Sequence, residues 1–461
     1  MESSTPFEVS TLETFSGNIR GSVLAPGDDG YDEGRTVWNS LIEKEPAVIV
    51  RCAGTADVTA AVEFARENEL GIAVKGGGHH IAGHAVCDDG LVIDLGPMNG
   101  VRVDPAAETV RVEGGATWGD LNHELHAFDL EIVGMPYDEV GVAGFTLGGG
   151  MGWLSRKHGL AIDNLRSVDV VTAEGDLVRA SKHENMDLFW AVRGGGGNFG
   201  VVTSFEFDCH LDQLRAYDGL FLHPIDAASD VLGFYQEFMT DAPNEVTAGA
   251  GIMQVPPNSE LPDHLHGDTV LMLKVAYMGD IELGKGILEP VQEFGDPVFE
   301  MVGPKPYSEF GMEAPERQRN HWKSHYFREL GDDTIQTVIE EALPLPTPLT
   351  KVYFFSLGGA INRLDRDSTA YPHRDAHHLF EMVTQWSNPD IDEETVSWAR
   401  EVHSALAPYG TGGEYVNNQS DDDRDRVKAA YGTNYERLVE VKNEWDPTNL
   451  FSSNQNVEPT M

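Results

Sequence analysis

The sequence predicts an α+β fold of two or three domains, and three observations carry that prediction. The chain has 461 residues, more than one core ordinarily organises. Up to about residue 126 the apolar runs read β-α-β-β-β-β-α, which is not the steady β-α alternation of a doubly wound sheet. Near residue 215 the texture changes, as glycine-rich loops give way to long strand-like runs alternating with helical patterns.

The elements follow in order. Residues 1–40 form a polar segment expected to be irregular. A region over 41–215 begins with the buried strand PAVIVRC and the helix TADVTAAVEFARENE, with Thr55 as its expected cap. GIAVKGGGHH reads as a strand entering a glycine loop, and GLVIDL as another strand. VRVDPAAETVRVEGGA reads as two strands about a turn, and TWGDLNHELHAFD as a helix. SVDVVTAEGDLVRAS is a hairpin turning on Glu174-Gly175. Over 216–405, runs such as TVLMLKVAYMG and TKVYFFSLGGAIN alternate with helices such as ASDVLGFYQEFMT. Residues 406–461 end in two amphipathic helices stopped by Pro447.

Charge narrows the function classes. The 76 acidic residues against 32 basic ones give a formal charge of −44, spread along the chain. Such a field repels phosphate backbones and anionic lipid, so neither nucleic acid nor membrane is an expected partner. A surface this acidic and lysine-poor suits concentrated salt, the pattern of a halophilic protein. The 3 cysteines form no CxxC pair. MESSTPFEVSTLETF has no basic or apolar leader pattern, and no window reaches membrane-spanning length, so a cytoplasmic protein is expected.

Three glycine loops, at 76–78, 148–152 and 194–197, bring bare backbone amides together, which suits a phosphate-bearing cofactor where lysine is scarce. Gly195-x-Gly197-x-x-Gly200 fits the dinucleotide string GxGxxG. A helix precedes it and a strand follows, the reverse of what that motif requires, so a nicotinamide site is excluded. A metal site from His79, His80, His84 and Cys87 is disfavoured, because no regular element converges these side chains.

VKGGGHHIAGHAVCDDGLVIDL, GVAGFTLGGGMGWLSRKHGLAIDNL, LFWAVRGGGGNFGVVTSFEF and NYERLVEVKNEWDPTNLFSSNQNVEP together resemble the FAD-linked oxidases of the vanillyl-alcohol oxidase/PCMH superfamily. Within it the chain is most similar to the berberine bridge enzyme-like branch, which includes sugar and nicotine oxidases. The resemblance implies a PCMH-type FAD-binding domain of two α/β subdomains, to which the C-terminal segment returns. It also implies an inserted substrate domain of antiparallel sheet covered by helices. FAD contacts are implied at Lys75, Gly76, Gly77, Gly78, His79, His80, Gly83, His84, Tyr137, Gly141, Val142, Gly144, Gly148, Gly149, Gly152, Gly197, Asn198, Gly200, Val201, Val202 and Asn417.

The family's covalent histidine matches His79, with His80 one register along as the competitor. Many relatives add a cysteinyl bond at the position occupied here by Tyr137, so a single histidyl link is expected. Phe145 stands where the plant alkaloid enzyme has a flavin-contacting histidine. The implied reaction moves hydride from a C–H next to OH or NH onto the flavin, with O2 reoxidising it to give H2O2. A base must take the heteroatom proton. GEYVNNQ supplies Tyr415 as that candidate, the alternative being a packing tyrosine. Sugar oxidases of the family use a strand carboxylate, which KVYFFSLGGAIN lacks, and Ile81 replaces an aromatic. A small apolar or aromatic alcohol, amine or aldehyde is therefore the expected substrate, and an oligomer is possible. Two other readings stay open, a dehydrogenase with another acceptor and a non-catalytic flavin-binding protein. His373 and Arg374, in YPHRDAHH, are expected to be structural in a surface or interface loop.

Overall fold

Three β-sheets, described by a computed structural model over residues 9–211, 215–257, 261–310, 316–421 and 426–460, organise the chain. MESSTPFE at the start and part of the acidic run DRDRV lie outside the described residues. β1 (Ser22–Leu24), β2 (Val48–Arg51), β3 (Ile72–Lys75) and β4 (Leu91–Asp94) form the first sheet, in spatial order β1-β2-β4-β3. β4 is parallel to both β2 and β3 and is buried along its length, which is why GLVIDL is continuously apolar.

β5 (Val101–Asp104), β6 (Thr109–Glu113), β8 (Leu165–Val171), β9 (Leu177–Ser181) and β10 (Val201–Asp208) form an antiparallel sheet ordered β5-β6-β10-β8-β9. A short ribbon pairs β7 (Leu130–Glu131) with β11 (His210–Leu211). The third sheet comprises β12 (Arg215–Pro224), β13 (Val246–Gln254), β14 (Thr269–Met278), β15 (Phe299–Pro306), β16 (Arg319–Phe327), β17 (Lys351–Ser356) and β18 (His378–Trp386). Its order is β15-β12-β14-β13-β17-β18-β16, antiparallel throughout.

Alternation along this third sheet separates two faces. Val352, Phe354, Phe380 and Met382 join the helices Ala228–Asp241, Ile281–Gln292, Asp332–Ala342 and Asp392–Leu406 in one apolar core. Lys351, Tyr353, Phe355 and Glu381 occupy the opposite face. The C-terminal helix Tyr435–Trp445 packs Leu438, Val439 and Val441 into the core that holds Trp190 and Phe199. There Lys442 Nζ, fully buried, donates to Asp446 (2.7 Å), the Asn198 carbonyl (2.8 Å) and the Phe451 carbonyl (3.0 Å).

Two expectations are corrected, and a third, left between two alternatives, is resolved. The first forty residues are not wholly irregular: a helix spans Val9–Ser16, Phe15 stacks on Phe64 at 4.1 Å, and β1 pairs with β2. Those partners are distant in sequence, so local composition does not reveal them. Thr55 does not cap its helix, which begins at Thr55 behind Gly54 with no side-chain cap. Asp57 instead gathers the amides of Ala53 (2.8 Å), Arg20 (2.9 Å) and Gly21 (3.0 Å). YPHRDAHH is an interface rather than a surface loop. Tyr371, Arg374 and His378 are buried, and the Arg374 guanidinium meets both Asp163 oxygens at 2.7 Å. No helix among the described residues is long and apolar enough to cross a membrane.

Candidate active site

The loop after β3 is built to lie against another backbone. A Cβ at Gly77 would stand 2.3 Å from the Gly141 nitrogen, so only glycine lets the two loops meet there. Gly78 adopts φ +69°, and Gly83, at φ +64°, packs on Ile42. Among the described residues, the amides of Gly76, Gly77, Gly78, His79 and His80 donate to no acceptor. Consecutive unsatisfied amides form a concave donor surface suited to an anion such as a pyrophosphate. Lys75 adds no charge to that surface. Its ammonium is spent on the carbonyls of Gly34 (2.8 Å) and Thr36 (2.9 Å), and burial lowers its pKa.

The two adjacent histidines have different surroundings. His80 Nδ1 accepts from the Ala82 amide at 3.1 Å, and Nε2 lies 3.4 Å from the Val416 carbonyl and 2.8 Å from the Gln455 side-chain nitrogen. Burial lowers its pKa to about 4. His84 tilts against it at 4.6 Å. His79 stacks on Trp38 at 5.4 Å, and burial lowers its pKa against the opposing pull of Glu139, so its imidazole is neutral near pH 7. Trp38 in turn meets Trp322 edge-on at 5.8 Å.

The opposite wall is the segment 134–152. Gly141 precedes the short helix Val142–Leu147, whose residues are buried except Gly144. A Cβ on Gly144 would meet nothing within 4 Å, so this helix turns bare backbone towards open space. Gly148 is held closely by Asn417, whose side-chain oxygen a Cβ would approach to 2.1 Å. Gly149 has φ +128°, and Gly152 lies against the Gly134 carbonyl.

The third loop divides. Gly197 faces open space, whereas Asn198 is fully buried and binds the Gly195 carbonyl (2.8 Å), the Gln455 carbonyl (3.1 Å) and the Val457 amide (2.9 Å). Gly200 packs on the Val171 carbonyl, and Val201 and Val202 belong to apolar cores. These last four residues shape the loop from behind.

Between the walls lies the face of the third sheet opposite its helices, and there a carboxylate appears that local sequence does not reveal. Glu381 is hemmed in by protein yet reachable by water. It sits opposite Tyr353 in the β17–β18 register, and it accepts hydrogen bonds from Asn418 and Tyr353. Burial raises its pKa, while those two bonds oppose the rise. Tyr137 approaches from the facing loop, its pKa raised by burial and by Glu381. Tyr415 is buried, and its oxygen accepts from Asn417 (2.9 Å) and the Gly150 amide (3.3 Å). Burial outweighs both bonds and keeps this phenol protonated. Among the described residues no cation is positioned to lower its pKa as a tyrosine base would require.

Further along the loop from His79, His80 and His84, Cys87 Sγ turns back to the Leu91 carbonyl. A different trio, His325, His403 and Glu414, converges on the helix-covered side. There the two imidazoles stack at 3.9 Å and 8°, so their in-plane lone pairs run parallel and cannot meet on one ion. Arg426 also occupies Glu414.

Five free amides, two glycines open to a cleft and a neutral histidine beside it fit an FAD whose pyrophosphate is held by backbone rather than by lysine. Residues 46–181 match the FAD binding domain family, and residues 414–458 match the family described as berberine and berberine like. An FAD-linked oxidoreductase of Dictyostelium discoideum is 30% identical over 457 residues, 97% of each chain. (R)-6-hydroxynicotine oxidase of Paenarthrobacter nicotinovorans is 30% identical over 456 residues, covering 96% of this chain and 97% of that one. The crystal structure of 6-hydroxy-D-nicotine oxidase from Arthrobacter nicotinovorans matches with a TM-score of 0.85 at 27% identity, covering 95% and 98% of the two chains. Physcomitrella patens BBE-like 1 matches with a TM-score of 0.85 at 25% identity, covering 95% and 97%. The chain is thus an FAD-linked oxidoreductase and belongs to the berberine bridge enzyme-like family.

Proposed function

We propose that this enzyme carries FAD on one covalent bond from His79 and oxidises a small alcohol or amine at a C–H next to OH or NH, with O2 as the acceptor. The observation that carries the reading is the recessed carboxylate of Glu381, set with Tyr353 and Asn418 on the sheet face across from the glycine loops. FAD, when bound, supplies a two-electron acceptor for the substrate's hydride and returns the pair to O2, giving H2O2.

Glu381 takes the proton released from the substrate's OH or NH. Tyr415, accepting from Asn417 and Gly150, keeps its own O–H hydrogen to donate to the substrate heteroatom. The buried Val142 and Ala143 precede Gly144 on the short helix, and small side chains at those positions would favour the approach of O2. A dehydrogenase using another acceptor shares every residue named. H2O2 formation in air, after anaerobic bleaching of the bound flavin by an alcohol or amine, separates the two. Absence of bleaching by any alcohol, amine or sugar refutes the reaction.

The single link is supported by the free imidazole of His79, the engagement of both His80 nitrogens, and Tyr137 in place of a second thiol. Acid precipitation of the purified enzyme is expected to leave a yellow pellet. His79→Ala is expected to release all FAD to the supernatant, and His80→Ala to retain it. A colourless wild-type pellet refutes attachment.

The charge of −44 supports a halophilic protein adapted to the cytoplasm of a salt-accumulating cell. Screening lengths fall from about 10 Å at 0.1 M salt to about 3 Å at 1 M. The melting temperature is accordingly expected to rise from 0.1 to 2 M KCl, as scanning calorimetry will show.

A further inference from the structure

We infer that Trp38 is a positioning residue for flavin attachment, its indole face holding the plane of the His79 imidazole while both ring nitrogens stay free; this rests on the reading of His79 as the covalent link. The two rings stack with centroids 5.4 Å apart and planes 19° from parallel. Among the described residues, neither His79 nitrogen has a hydrogen-bond partner. The adjacent His80 differs, since polar groups meet both of its nitrogens.

A nucleophilic imidazole faces two demands that conflict. Its nitrogens lie at the ring edge, so a hydrogen bond that fixes the ring also occupies one of them. The torsion about Cβ–Cγ of histidine is broad, so an unfixed ring sweeps its lone pair through many directions. A flat partner on the ring face meets both demands, because it restrains the plane and touches neither nitrogen. The three glycines before His79 have no side chain to offer such a contact.

Trp38 is itself held in place. Its amide donates to the Gly78 carbonyl at 3.1 Å, and the side chain of the buried Asn39 donates to the Ile81 carbonyl at 2.7 Å. The strap 37–39 is thereby pinned to the glycine loop on both sides of His79. From the third sheet, Asn320 exchanges two bonds with Asn39 (2.9 and 3.0 Å), and Arg317 just before β16 donates to the Val37 carbonyl (2.8 Å). Trp322 of β16 meets the indole edge-on at 5.8 Å. The loop that carries the nucleophile thus takes its ring plane from a strand far along the chain. Attachment exchanges an imidazole N–H and a C–H of a flavin ring methyl for one N–C bond. The two hydrogens and the electron pair reduce the flavin, and O2 removes them as H2O2. A misplacement of about 1 Å in such a reaction costs about 10²-fold.

The test follows attachment itself, so it does not depend on turnover. The full chain is produced in a riboflavin-starved auxotroph, given FAD in air, and acid-precipitated at intervals to measure the yellow fraction in the pellet. Binding before attachment is read separately, from quenching of flavin fluorescence. Trp38→Phe keeps a flat face and is expected to attach FAD at close to the wild-type rate. Trp38→Leu keeps apolar volume without that face, and is expected to bind FAD yet attach it about 10²-fold more slowly. A wild-type rate in Trp38→Leu, or an equal loss in the Phe and Leu variants, overturns the inference while a yellow wild-type pellet still upholds the covalent link. A Leu variant that binds no FAD also overturns it, since Trp38 then serves binding rather than orientation. A wild-type pellet that stays colourless sinks the covalent reading and this inference with it.

Discussion

Glu381→Gln is expected to slow anaerobic flavin reduction by about 10²–10⁴-fold, the usual contribution of a positioned general base. The amide keeps the shape and the bond from Asn418, so FAD content should not change. The pH profile adds a signature that a structural role would not produce. Burial holds the folded carboxyl above its usual range, and a base works only when ionised. The rate must therefore fall as pH drops, starting above the ordinary carboxylate value of about 4.3. That acid limb should vanish in Glu381→Gln. A limb that persists, or a loss below tenfold, assigns the proton elsewhere. Tyr415→Phe, made in parallel, is expected to weaken substrate binding while preserving the limb, because its phenol is protonated throughout.

The largest effect on stability is expected at Lys442. Lys442→Met leaves Asp446 buried without its cation and removes a donor from two carbonyls. Stranding one partner of a buried pair costs about 3–5 kcal/mol. Urea titration should show the midpoint falling without a change in slope. Asp446 also accepts the amides of Leu450 (2.8 Å) and Phe451 (2.9 Å), so Lys442→Met with Asp446→Asn should recover only part of the loss. A single variant as stable as wild type would show that the pair is replaceable by apolar packing.

The close approach of the first glycine loop to Gly141 was legible because its signal is local. VKGGGHH names a strand end, three residues without side chains and a nucleophilic imidazole in one window, and the structure brings that window against Gly141 as the glycines require. The fold class was legible for a similar reason, since helical and strand periods are short. Glu381 was not. HLFEMVTQW reads as a strand with one stray acid, and its meaning comes from being opposite Tyr353 on another strand. KVYFFSLGGAIN itself carries no acid, and Glu381 stands opposite its Tyr353 on the neighbouring strand. Asn198 shows the converse error. A glycine string specifies where backbones approach closely but not from which side, and this asparagine ties chain to chain. Gln455 meets His80 from the terminal run FSSNQNVEP, a contact between segments 375 residues apart that local sequence does not show.

The ties from Gln455 to His80, and from Asn198 to Val457, have a consequence for biosynthesis. A growing polypeptide that has emerged only through its first two sheets contains the glycine loop and His79, yet not the segment that seats the neighbouring imidazole. Cofactor capture must then wait until translation has passed residue 457. A ribosome-stalled intermediate should be colourless, and the yellow colour should report completed synthesis.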